Sequence, residues 1–211
     1  MGNNYDKVAN YYDRIHHLFY GQSEINAQVE LLDYIRPGDR LLILGGGTGW
    51  ILEKIAAIFP AGLQITYIES SAQMMELTKT RNWGFNQVEL VNSVVEDWKG
   101  EMEYHCVLTG LFFDNFKDAH AAAIVRQVTP YLKNGGYWLE SDFYYPRRRG
   151  KLWQAILLYS MYFSARLICK VDARELPDMD DLFAQAGFAP VRVSWYYRGF
   201  IKAVAYRRGG S

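Results

Sequence analysis

One run of nine residues constrains the fold of this chain more than any other: Leu41-Leu42-Ile43-Leu44-Gly45-Gly46-Gly47-Thr48-Gly49. Four consecutive apolar residues are typical of a strand that is buried on both faces of a sheet. The glycines predict a tight turn, and the apolar spacing over 48–59 predicts a helix directly after it. Glycine lets the backbone approach a ligand closely, and the free N–H groups at a helix start favour a polar or anionic group. The run therefore predicts either a nucleotide-type ligand site or a plain strand-to-helix turn.

Short apolar runs alternate with helical patterns along most of the chain. Further strands are expected at 63–68, 88–91, 104–109 and 137–142, with helices at 71–82 and 118–132. Only four residues separate the last two expected strands, at 191–195 and 200–206, so these must form an antiparallel hairpin. The expected fold class is α/β: a Rossmann-like seven-stranded sheet, mostly parallel with an antiparallel C-terminal hairpin strand, and helices on both faces.

The length of 211 residues is within the range of one domain, and no low-complexity linker divides the chain. We expect a single domain over 1–211. Within it, 1–39 is expected to form an N-terminal helical cap, and 143–176 a second cap inserted after the fifth strand. A short helix that Pro177 opens and Gly187 ends is expected before the hairpin.

Composition excludes several functional classes. The chain has 23 basic and 23 acidic residues and a formal net charge of zero, which argues against a strongly basic nucleic-acid-binding protein. Cys106 and Cys169 lack metal-ligand spacing, so no metal site is expected and both are interpreted as reduced thiols. The polar N terminus lacks a signal-peptide pattern, which favours a cytoplasmic location.

An acid at the end of the second expected strand narrows the ligand class. Glu69 follows Gly49 by 20 residues, where nucleoside-binding sheets place a carboxylate that holds the ribose hydroxyls. The dinucleotide pattern G-x-G-x-x-G requires a third glycine where this chain has Trp50. A ligand with one ribose and no pyrophosphate is therefore favoured, and a nicotinamide-dependent oxidoreductase is the weaker alternative.

With these motifs the chain resembles the class I S-adenosylmethionine-dependent methyltransferases, and more narrowly their ubiquinone/menaquinone methyltransferase-like (type 11) branch. The resemblance covers residues 5–206. It includes Tyr5-Asp6-Lys7-Val8-Ala9-Asn10-Tyr11-Tyr12-Asp13, Tyr131-Leu132-Lys133-Asn134-Gly135-Gly136 and Phe183-Ala184-Gln185-Ala186-Gly187-Phe188. It implies S-adenosylmethionine as cofactor, S-adenosylhomocysteine as product and a small-molecule methyl acceptor.

The resemblance also assigns cofactor contacts. The glycine turn would cradle the methionine portion, and Glu69 would hold the ribose. Met74 and the turn after the third strand would contact the adenine. Tyr12 would close over the bound cofactor. The full set that the resemblance implies is Tyr12, Gly45, Gly46, Gly47, Gly49, Glu69, Ser70, Met74, Val94, Val95, Thr109 and Gly110.

Two positions depart from the family pattern. Ile43 stands where an acid usually supports the cofactor's amino group, and Val94 where an Asp often contacts the adenine amine. Each lost charged hydrogen bond is worth about 1.5–3 kcal/mol. These departures leave open a catalytically degenerate module that binds a nucleoside or a partner.

Methyl transfer mainly requires that nucleophile and methyl group be held in line, with removal of a proton where needed. Asp114 and His17 are candidate bases, although either could be a capping or surface residue. The aromatic excess, 16% of the chain, favours an apolar aromatic or lipid-like acceptor. Candidate acceptor contacts are His16, Tyr20, Phe113 and Trp153.

A basic run, Arg147-Arg148-Arg149-Gly150-Lys151, precedes an apolar helical stripe formed by Leu152, Ile156, Tyr159, Phe163 and Leu167. The stripe predicts a buried cap helix. The alternatives are peripheral membrane contact through 147–168, since basic flanks beside an apolar face suit anionic lipid headgroups, or a dimer contact. A monomer and a homodimer both remain open.

Overall fold

The computed structural model describes residues 22–145, 152–159 and 176–209. The described helices are α1 (Gln22–Leu31), α2 (Trp50–Ile58), α3 (Ala72–Lys79), α4 (Asp118–Val128), α5 (152–159) and α6 (Met179–Gln185). The described strands are β1 (Arg40–Leu44), β2 (Ala61–Glu69), β3 (Phe85–Asn92), β4 (Tyr104–Gly110), β5 (Leu132–Phe143), β6 (Phe188–Tyr196) and β7 (Ile201–Arg208).

The seven strands form one sheet in the order β3-β2-β1-β4-β5-β7-β6. All pairs from β3 to β5 are parallel, whereas β7 runs antiparallel to both β5 and β6. The predicted Rossmann-like sheet with an antiparallel hairpin strand is thereby confirmed. The strand order reverses between β1 and β4, which is where open α/β sheets bind ligands beyond their carboxyl ends.

Apolar side chains cover both faces of this sheet. On one face, α1 and α2 pack on the central strands through residues such as Leu31, Leu52 and Ile55. On the other, Ile124 of α4 and Phe183 of α6 pack around the fully buried Trp138. The continuous apolar strands follow from this double coverage.

Strand β5 begins earlier than the sequence predicts. Residues 133–136, which precede the strand expected at 137–142, lie within the strand, and Leu132 already pairs with Tyr104. The register then shifts before Cys106 pairs with Tyr137, and Gly135 takes a φ of +75°. Glycine tolerates this left-handed conformation, so the extra residues are accommodated as an irregularity instead of ending the strand.

The hairpin strand β6 is also longer than expected, because it includes Pro190. Proline donates no backbone hydrogen bond, and an edge strand tolerates this on its free side. The register shifts between Pro190 and Arg192. The connection to β7 is a tight turn in which Tyr197 and Arg198 have φ values of +46° and +56°.

No helix within the described residues is long and apolar enough to cross a membrane. Those residues also contain no group of three His, Cys, Asp or Glu side chains that could hold a metal ion. Cys106 is a buried free thiol, and Cys169 lies outside the described residues. Of the predicted membrane-contact stretch 147–168, only 152–159 is described.

Candidate functional site

A cavity of about 590 Å³ opens at the carboxyl ends of β1, β2, β3 and β4. Its volume falls in the range of small-molecule sites, roughly 300–1,000 Å³. Most of the predicted cofactor-binding residues line it together: Gly45, Gly46, Gly47, Glu69, Ser70, Met74, Val94, Val95 and Gly110.

The glycine turn forms the cavity floor after β1. A Cβ at Gly46 would lie 2.2 Å from the Tyr67 ring, so no side chain fits there. Gly47 has a φ of +65°, and a Cβ there would meet only Met74 Sδ, at 3.9 Å. The turn therefore leaves its backbone open to the cavity on the Gly47 side, while Gly46 is pressed against β2.

Glu69 ties the glycine turn to the end of β2. Its Oε2 accepts a hydrogen bond from Gly47 N at 2.9 Å, and its Oε1 accepts one from Ser71 N at 2.7 Å. Ser70 adds a backbone and a side-chain hydrogen bond to the same carboxylate. Burial raises the pKa of Glu69, against the lowering effect of the backbone donors.

Two buried hydroxyl groups hold the turn from below. Tyr67 Oη and Thr78 Oγ1 both donate to the carbonyl oxygen of Gly47, at 3.0 and 3.1 Å. Burial raises the pKa of Tyr67, so its phenol stays protonated and remains a donor. Gly47 is therefore fixed through its N–H and through its carbonyl group, which preorganises the cavity floor.

The rim beyond β3 combines apolar and charged side chains. Val94 and Val95 line the cavity together with Glu96. From α4, His120 Nε2 lies 2.5 Å from Glu96 Oε1, and its ring packs edge-on against Phe116 with centroids 4.7 Å apart. Glu96 thus places a carboxylate at the same rim as the apolar Val94, which sequence reasoning missed because Glu96 carries no motif of its own.

Helix α1 supplies a wall that the sequence analysis placed only broadly, as part of the cap over 1–39. Glu24 and Gln28 line the cavity although they are 7% and 6% exposed. Their only sequence signal is that two polar residues, one turn apart, occupy the buried face of a helix. Tyr12, His16, His17 and Tyr20 lie outside the described residues.

Two predicted cofactor contacts lie beneath the cavity instead of on its wall. Gly49 is the N-cap of α2 and has a φ of +78°, and a Cβ there would lie 2.7 Å from Thr78 Cγ2. Thr109 is buried and its Oγ1 accepts a hydrogen bond from Trp138 Nε1 at 3.0 Å.

Two predicted acceptor contacts also lie away from the cavity lining. Phe113 is fully buried and packs against Phe183 and Trp138 in the core. Trp153 of α5 packs against Tyr197 and Phe200, with ring centroids 6.2 and 6.1 Å apart. The described cavity draws its aromatic walls from Trp50, Phe112 and Phe116 instead.

The candidate base Asp114 lies in the turn after β4. Its backbone N–H and that of Phe113 donate to Asp142 Oδ2, at 3.1 and 2.8 Å. Burial, followed by the nearby carboxylates of Asp142 and Glu24, raises the pKa of Asp114. Asp114 itself does not line the cavity, but its neighbours Glu24 and Asn115 do.

Ile43 occupies a position shared by the core and the cavity. It is 2% exposed and packs in the apolar cluster of the α1 and α2 face, yet it also forms part of the cavity wall. His105 has a structural position, since its Nδ1 accepts a hydrogen bond from Arg40 N at 2.9 Å.

A family profile described as a methyltransferase domain matches residues 41–136. No curated protein sequence matches the chain.

Solved structures share its fold at low identity. The mitomycin 7-O-methyltransferase superposes with a TM-score of 0.68 at 17% identity, covering 98% of this chain and 61% of that one. A chain in the complex between the Haloferax volcanii Trm112 methyltransferase activator and the methyltransferase superposes with a TM-score of 0.73 at 12% sequence identity. The match covers 100% of this chain and 100% of that one. The Burkholderia thailandensis 1,6-didemethyltoxoflavin-N1-methyltransferase was solved with bound 1,6-didemethyltoxoflavin and S-adenosylhomocysteine. It superposes with a TM-score of 0.64 at 17% sequence identity, covering 97% of this chain and 86% of that one.

Proposed function

We propose that the chain is an S-adenosylmethionine-dependent methyltransferase that methylates a small, apolar aromatic or lipid-like acceptor in this cavity. The match of residues 41–136 to a methyltransferase-domain profile supports this proposal. The observation that carries the proposal is the junction between Gly47 and Glu69. There, an open glycine turn and a buried carboxylate meet on one cavity wall.

The lining fits the cofactor. The backbone of Gly45–Gly47 would hold the methionine portion, and Glu69 would hold the ribose hydroxyls. Met74 and Val94 would contact the adenine. Glu96 at the same rim offers a carboxylate that Val94 lacks. When bound, S-adenosylmethionine supplies an electrophilic methyl group.

The residues after β4 provide the acceptor side of the proposal. Leu111, Phe112 and Phe116 line the cavity and would bury an apolar acceptor, which also keeps water away from the reacting atoms. Asp114 is the candidate base, because burial raises its pKa and so makes its carboxylate a stronger base. The charge of Glu24, which lines the cavity wall, acts on Asp114.

Calorimetry with S-adenosylhomocysteine tests the cofactor assignment. Glu69→Gln removes the charge that receives the ribose hydroxyls, so we expect affinity to fall by about tenfold or more, equivalent to roughly 1.4 kcal/mol. Glu103→Gln changes an exposed carboxylate before β4 and serves as the matched control. Equal affinity in wild type and Glu69→Gln, with both folded by circular dichroism, would reject the assignment.

A screen of small molecules with labelled S-adenosylmethionine tests the transfer itself. We expect label to appear in apolar aromatic or lipid-like compounds. Cofactor binding without turnover on any compound class would instead support a degenerate nucleoside-binding module.

We also propose that α5 contacts an anionic membrane surface. Its predicted apolar stripe is turned outward where it is described, since Leu152, Ile156 and Tyr159 are 78%, 62% and 69% exposed. Changing Arg147, Arg148 and Arg149 to Gln should reduce sedimentation with anionic liposomes, and added salt should have the same effect. Lys54→Gln, an exposed lysine on α2, is the control. Wild-type protein that ignores liposomes at low salt would eliminate the membrane proposal.

A further inference from the structure

A second cavity, of about 530 Å³, lies between β5, β7 and the start of α6. Among the described residues it shares no lining residue with the first cavity. Glu140 and Asp142 of β5 face into it, with Lys202 of β7 opposite Asp142 in the strand register. Its remaining acids, on or just before α6, are Asp178, Asp180 and Asp181.

Glu140 is the unusual group in this cavity. It is 4% exposed, yet its carboxylate makes no hydrogen bond or ion pair with any residue that the structure describes. Burial raises the pKa of Glu140, and the neighbouring carboxylate of Asp142 raises it further. A buried carboxylate normally has a hydrogen-bond partner. Among the described residues, Glu140 has none.

The cavity's one lysine is already matched. Lys202 Nζ pairs with Asp180, at 2.5 Å from its Oδ1, and Tyr206 Oη donates to the same oxygen at 2.6 Å. The ammonium of Lys202 also lies 5.3 Å from the centroid of the Tyr144 ring and 5.6 Å from that of Trp195. Asp180 therefore holds the Lys202 ammonium directly, whereas the same ammonium attracts Glu140 without a hydrogen bond to it.

Asp142 differs from Glu140 because the backbone satisfies it. Its Oδ2 accepts from Phe113 N and Asp114 N, and its Oδ1 accepts from Phe143 N at 2.8 Å. Of the two inner carboxylates of β5, that of Glu140 is the one that accepts no hydrogen bond from a described residue.

We propose that this cavity binds an organic cation, whose ammonium group donates to the carboxylate of Glu140. Tyr144 and Tyr145 line the same cavity, and aromatic faces attract ammonium groups. The described residues hold no three-ligand metal arrangement, so an ammonium suits the cavity better than a metal ion. The inference does not rest on the proposed function, because no described cofactor-side residue takes part.

Phenethylammonium tests the proposal, with 2-phenylethanol as its uncharged analogue and calorimetry as the readout. We expect wild type to bind the ammonium compound in preference to the alcohol. Glu140→Gln should weaken ammonium binding by about tenfold or more while leaving the alcohol unaffected. Glu103→Gln, on the surface, should bind both compounds as wild type does.

Two outcomes would overturn the proposal. One is wild type that does not distinguish phenethylammonium from the alcohol, which would mean that Glu140 does not receive the ammonium group. The other is a folded Glu140→Gln variant that binds the ammonium compound as tightly as wild type. The wild-type comparison needs no variant, so it decides even if Glu140→Gln misfolds. S-adenosylhomocysteine affinity, measured on the same samples, reports on the proposed function separately and should not change in Glu140→Gln.

Discussion

Gln28 of α1 packs so closely on Gly110, at the end of β4, that a Cβ on Gly110 would lie 2.3 Å from Gln28 Oε1. Both residues line the larger cavity. The glycine at this strand end therefore sets how near α1 approaches the ligand site. The space that a side chain on Gly110 would occupy is filled by the Gln28 amide, which is 6% exposed.

Gly110→Ala tests this contact. The added methyl group overpacks the site, so we expect the free energy of unfolding to fall by about 1–3 kcal/mol. Gln28→Ala should relieve the clash, so the double variant should be more stable than the sum of the two single changes predicts, by about 1 kcal/mol or more. Urea denaturation of the four proteins measures this coupling, and strictly additive effects would contradict the contact.

The two hydroxyl groups under the glycine turn should matter for the ligand. Tyr67→Phe leaves Thr78 as the donor to the Gly47 carbonyl, so we expect a loss of about 1 kcal/mol in stability. Tyr67→Phe combined with Thr78→Val leaves the carbonyl without a side-chain donor and should weaken S-adenosylhomocysteine binding more than either single change. Calorimetry and thermal unfolding on the same samples separate the two effects. An unchanged affinity in the double variant would show that the turn needs no support from below.

Restoring the family acid at position 43 should not restore affinity. Ile43 is 2% exposed in the core, and Asp there would bury a charge with no partner in place. We expect Ile43→Asp to lower the free energy of unfolding by about 3 kcal/mol or more, whereas Ile43→Val should cost only about 0.5–1.5 kcal/mol. A folded Ile43→Asp variant with tighter S-adenosylhomocysteine binding would show that the side chain turns toward the ligand instead.

The buried carboxylates of β5 should make stability depend on pH. Burial raises the pKa of Asp142 from 3.8 to about 7, and that of Glu140 also lies above its ordinary value. The folded state therefore holds protons that the unfolded state has lost, so stability should fall as pH rises from about 4 to about 7. Each such proton changes the free energy of unfolding by up to about 1.4 kcal/mol per pH unit.

Glu140→Gln should make that dependence shallower, because one of the titrating groups is gone. Urea denaturation at several pH values between 4 and 8 measures the slope, with Glu103→Gln as the control. A slope equal to that of wild type would mean that folding does not raise the pKa of Glu140.

Much of the fold and part of the site follow from local patterns in the sequence. The run 41–49 predicts strand β1 and its glycine turn because four apolar residues and a glycine cluster allow few other conformations. The four-residue connection before Phe200 forces an antiparallel pair, whatever lies around it. Glu69 is predictable because its distance from the glycine turn is set by one helix and one strand of ordinary length.

Other features depend on contacts between residues far apart in the chain. Nothing near Glu140 in the sequence indicates that Lys202, more than 60 residues later, would bond to Asp180. Nor does it indicate that Glu140 would be left without a hydrogen bond from Lys202. Nor does the sequence near Gln28 indicate its contact with Gly110. Local sequence sets backbone conformation through steric and hydrogen-bonding preferences over a few residues. The packing of strands and helices decides which side chains meet, and so whether a charge is matched or a cavity is left.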